Sequence, residues 1–69
     1  MPINIVCTKA AGRFVKGETY VAAKKTFVEG YSVRPVQCEF LQFMFGAHMD
    51  DDFTVKENDG TAQFEPAKD

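Results

Sequence analysis

One histidine, two cysteines and a run of three aspartates are the side chains of this 69-residue chain whose types suit catalysis or metal binding. His48 stands just ahead of Asp50-Asp51-Asp52, a pattern that would suit a divalent-cation site or an acid–base centre. Three consecutive carboxylates cannot converge on one ion, however, because neighbours in an extended segment point to opposite faces. The run reads first as a solvated loop, and second as acidic surface offered to a basic partner, with Asp50 and Asp51 as contacts. Cys7, Cys38 and His48 could supply three zinc ligands, but structural zinc sites draw on close-spaced pairs and these residues are scattered. Nucleophilic catalysis needs a base and an orienting group beside the thiol. With one histidine the chain offers only a Cys–His48 pair, and no spacing supports it. The expectation is a protein without metal or cofactor that is not an enzyme.

What remains is the chemistry of surfaces. The run from Arg13-Phe14-Val15-Lys16 through Tyr20 to Lys24-Lys25-Thr26-Phe27 interleaves cations with aromatics, as small barrels that bind single-stranded nucleic acid do. Arg13, Lys16, Lys24 and Lys25 would be the phosphate contacts. Against this, alternating strand geometry would bury many of the aromatics, and the net charge is −2. Nucleic-acid binding, by a small homo-oligomeric barrel, is therefore the alternative reading. Residues 1–35 carry six basic side chains against two acids, and residues 36–69 two against eight. Either the two halves interleave and the charges mix, or the molecule has a basic and an acidic face.

The second surface is greasier. Between Pro35 and Met49 lie Val36, Cys38, Phe40, Leu41, Phe43, Met44, Phe45 and Ala47, interrupted mainly by Gln37, Glu39 and Gln42. As a helix, with Pro35 at its first position and Gly46 at its stop, the segment carries Val36, Phe40, Phe43, Met44 and Ala47 on one stripe. Cys38, Leu41 and Phe45 fall on the other side. As a strand, both faces are apolar too. A 69-residue domain buries only about 60% of its unfolded surface and can cover one such face more easily than two. Cys38, Leu41 and Phe45, rimmed by Gln42, are accordingly the expected partner contacts, unless loops wrap the segment and make it core.

The elements that must position these residues are strands. Seven Phe, seven Val, two Ile and five Thr stand against one Leu, and β-branched and aromatic side chains suit a pleated surface. Ile3–Thr8 opens a strand with Ile3, Ile5 and Cys7 on one face. Lys16-Gly17 is a turn, Glu18–Ala23 a second strand, Glu29-Gly30 a turn, and Tyr31–Arg34 a short strand that Pro35 ends. Phe53–Glu57 and Thr61–Phe64 flank Asn58-Asp59-Gly60 as a hairpin, with Gly60 in a left-handed position. Residues 1–65 form one domain and 66–69 a flexible tail. No stretch approaches the roughly 20 apolar residues that span a bilayer, and the N-terminus lacks the pattern of a signal peptide. Two distant cysteines suit free thiols in a reducing cytoplasm.

Lys16-Gly17, Tyr20, Asp59-Gly60 and Phe64, placed after an opening strand and in a terminal hairpin, resemble the small SH3-like β-barrel accessory proteins encoded by bacteriophages and prophages. The resemblance covers about half of the chain, and segment 36–49 departs from it as an insertion. It fits the reading of the strands as a mostly β domain with a minor helical part, a partly open barrel of about five strands, to which the residues themselves add one short helix near 35–45. It implies a compact accessory protein that modulates or inhibits a host protein, which would place the chain in the cytoplasm of a bacterial host cell; the surplus apolar face makes a homodimer the other expected pairing. It carries over no catalytic residue and no membrane partner.

Overall fold

Six strands form in a computed structural model that describes residues 2–37 and 46–67. They are β1 (Ile3–Lys9), β2 (Thr19–Lys24), β3 (Tyr31–Pro35), β4 (Ala47–Met49), β5 (Thr54–Glu57) and β6 (Gly60–Pro66). All neighbours pair antiparallel, in the order β4-β3-β2-β1-β6-β5. β4 and β5 are therefore the two edges, yet only residues 50–53 join them. In a flat six-stranded sheet the edges would lie roughly 24 Å apart, at about 4.8 Å per strand. The five residue steps from Met49 to Thr54 reach at most about 18 Å. The sheet must roll up, and it does: the Asp50 N–H donates to the Thr54 carbonyl at 2.9 Å, nearly closing a barrel.

The period-2 pattern read from the sequence puts Ile5 and Cys7 of β1 inside with Ala22, Val33, Met49, Val55 and Ala62. Phe14, Tyr20 and Phe64 close one end of this core, ring centroids 5.1–5.8 Å apart and edge to face, the arrangement the ring quadrupoles favour. The residues behind the resemblance thus have structural work. Gly17, at φ +89°, turns the chain so that its N–H reaches the Cys7 carbonyl at 2.8 Å. The Tyr20 hydroxyl accepts the Val15 N–H at 3.0 Å.

The mostly β, partly open small barrel matches expectation, with six strands rather than about five. The added strand, β4, lies at the end of the stretch left open between helix and strand. Pro35 does not start a helix: it is the last residue of β3, opposite Tyr20, and a turn follows at Val36-Gln37. The rest of the expected helix lies outside the described residues. Phe53 is not strand but a turn residue at φ +65°, which delays β5 to Thr54. At the hairpin Glu57 pairs with Gly60 across Asn58-Asp59, and Gly60 takes φ +143°, open to glycine but closed to other residues. Two residues assigned to the tail are tied to β1. Pro66 pairs with Ile5, and the Ala67 N–H donates to the Asn4 carbonyl at 2.9 Å. Among the described residues no helix is long and apolar enough to cross a membrane.

Candidate functional site

The loop from Lys25 to Gly30, which joins β2 to β3, leaves its apolar tip in water. Phe27 is 96% exposed and Val28 62%, although every other described phenylalanine is buried or half-buried. Fraying does not produce this exposure, because the base of the loop is held at several points. The Lys25 N–H donates to the Gly30 carbonyl at 3.1 Å. The Gly30 N–H donates to Asp51 Oδ1 at 3.1 Å, and Lys24 Nζ donates to the same oxygen at 3.0 Å. Gly30 sits at φ +96° with the His48 ring and the Met49 carbonyl packed against its Cα. No side chain fits there, which is why the turn requires glycine.

Across the neighbouring β3–β4 pair, His48 stands opposite Ser32. Lys25 Nζ lies 2.7 Å from His48 Nδ1, and His48 Nε2 lies 3.2 Å from Asp50 Oδ1. Lysine can only donate, so Nδ1 is the acceptor, and the neutral ring donates through Nε2–H to Asp50. Beside this chain is a cleft of about 370 Å³. Its floor is the cross-strand pair Ala23 and Ser32, its apolar wall Phe27 and Val28, and its cationic side Lys24 and Lys25.

The Lys24–Asp51 hydrogen bond holds the lysine above its ordinary pKa and the carboxyl below its own. Both side chains are about half exposed, so solvent screens the pair. The aspartate run therefore has three separate tasks: Asp50 anchors His48, Asp51 ties the loop, and Asp52 accepts the Thr54 hydroxyl at 2.7 Å. They diverge as expected, but on a turn rather than on an extended segment, the Phe53 N–H donating to the Asp50 carbonyl at 2.9 Å. Among the described residues no three His, Cys, Asp or Glu side chains converge as a metal site would require.

Of the sequence-derived contacts, Cys38, Leu41, Gln42 and Phe45 lie outside the described residues, and Asp50 and Asp51 fall at the site. The basic set does not converge. Arg13 and Lys16 precede β2, Lys24 ends it and Lys25 follows, and the strand between spans about 17 Å. Arg13 is turned toward Glu57, its backbone N–H donating at 3.1 Å and its Nε at 3.4 Å. Arg13–Glu57 and Lys24–Asp51 link the basic half to the acidic half, so the charges of the two halves meet at these two places. Phe27 entered the sequence reading only as the end of the basic, aromatic-interleaved run, and its full exposure was not anticipated. The signal was present: adjacent Phe27 and Val28, close before Gly30, cannot both turn inward in a short strand connection.

Cys7 is buried, its thiol donating to the Lys9 carbonyl at 3.2 Å. Burial pushes the thiol's pKa up, against the pull of that hydrogen bond, and leaves it a poor nucleophile. No family model, no curated protein and no solved structure matches the chain.

Proposed function

We propose that the chain is a non-enzymatic protein-binding module that engages its partner through the loop Lys25–Gly30. The supporting observation is Phe27, exposed to 96% on a loop tied at its base. An aromatic side chain has only two torsions to fix on binding, and aromatic residues are enriched at the centres of protein interfaces. Local charge favours a protein over nucleic acid. Lys24 and Lys25 stand among Glu29, Asp50, Asp51 and Asp52 at this end, without the run of cations that a phosphate backbone draws on. The resemblance to phage-encoded barrels makes a bacterial host protein in the cytoplasm the natural target, with a second copy of the chain as the other partner to examine. The test is retention of a bacterial protein on the immobilised chain. The proposal expects retention little changed by moderate salt and abolished by Phe27→Ala. Retention that survives Phe27→Ala, or a preference for single-stranded nucleic acid that falls steeply with salt, would overturn it.

A further inference from the structure

We infer that the cleft takes an extended segment of the partner in which an apolar side chain is followed closely by a carboxylate, and that the carboxylate is received by Lys25. The inference rests on the protein-binding reading of Phe27 and adds the chemistry of what is bound. Of the two lysines at this end, Lys24 already has a carboxylate in Asp51. Lys25 is held by the His48 ring nitrogen, a neutral acceptor, at 2.7 Å, and it lines the cleft together with Phe27 and Val28. An incoming carboxylate offers the ammonium a charge-assisted bond in place of a neutral one. His48 stays anchored when Lys25 leaves, because Asp50 holds its Nε2. The small floor of Ala23 and Ser32 leaves the cleft open for an apolar side chain against Phe27. Asp50, Asp51 and Asp52 have internal partners and so do not offer the same to a basic segment.

The test is selection of a random peptide display library on the immobilised protein, then titration of one enriched peptide and its Asp→Asn version. Enriched peptides should share an apolar residue with Asp or Glu within a residue or two, and should lose binding to Phe27→Ala protein. Replacing the peptide's Asp with Asn should weaken binding by between about threefold and tenfold on wild type and on Lys25→Arg, but by less than about twofold on Lys25→Met. Peptides that depend on Phe27 but carry no acidic residue, or whose Asp→Asn change costs the same on wild type and Lys25→Met, overturn this inference and leave the protein-binding reading standing. A selection that yields no Phe27-dependent peptide overturns both.

Discussion

Gly30→Ala tests whether the loop is seated as described. Gly30 has φ +96°, and an L-residue held in that region costs about 1–2 kcal/mol. A Cβ there would also lie 2.7 Å from the Met49 carbonyl oxygen and run into the His48 ring. The oxygen belongs to strand backbone, so the ring and loop must shift. That weakens the Lys25–His48 and His48–Asp50 hydrogen bonds, at about 0.5–1.5 kcal/mol each. Together these give a loss of about 2–5 kcal/mol, a large fraction of the roughly 3–10 kcal/mol that a domain of this size has. Gly17 supplies the control: its φ is +89° and nothing lies within 4 Å of its would-be Cβ, so Gly17→Ala bears only the backbone cost. Thermal unfolding followed by far-ultraviolet circular dichroism compares the two, with about 4–8 °C per kcal/mol expected in a domain of this length. Gly30→Ala should fall at least about 5 °C further than Gly17→Ala. Equal falls would refute the packing of His48 and Met49 on the loop.

Phe27→Ala should leave the melting temperature within the change expected for about 0.5 kcal/mol, because an exposed side chain holds nothing. The same variant should weaken partner binding by about 2 kcal/mol, roughly 30-fold by titration calorimetry, as burial of a phenyl ring implies. Asp51→Asn should remove an acid-side loss of stability. The folded pKa of Asp51 lies below its ordinary value, so its contribution is present above that value and fades as pH falls through the lower, folded one. Lys24 mirrors this, its contribution fading as pH rises through its raised folded value; melting curves across pH, with and without salt, check both. In a Cys38→Ser background, Cys7 should react with a thiol-specific chromogenic reagent only as fast as the barrel opens, since burial raises its pKa. Nitrogen-15 NMR should find neutral His48 as the Nε2–H form in wild type, and Lys25→Met should relax that preference.

Strand identity was legible because the inward row of β1, with Ile5 and Cys7, and the Asn58-Asp59-Gly60 hairpin obey local rules of alternation and turn chemistry. Pro35 was legible as a strand end but misleading as a helix start, since both roles need its fixed φ and missing N–H. Phe53 could not be read: nothing local favours φ +65° in an aromatic residue. The barrel imposes that conformation by joining two sheet edges through residues 50–53, and its contact with Tyr31, 5.6 Å between centroids, helps hold it. The site was half legible. The sequence marked Lys24, Lys25, Asp50 and Asp51 as surface residues of interest but assigned the lysines and aspartates to different partners. Only pairing across β2, β3 and β4 brings positions 24–30 beside 48–51.

Chemical-shift mapping of the isotope-labelled chain, titrated with its purified partner, asks most directly where that partner sits. The loop Lys25–Gly30 with Ala23, Ser32 and His48 should carry the largest perturbations. Perturbations confined to Arg13–Glu18 and Asn58–Gly60, at the opposite end of the barrel, would contradict it.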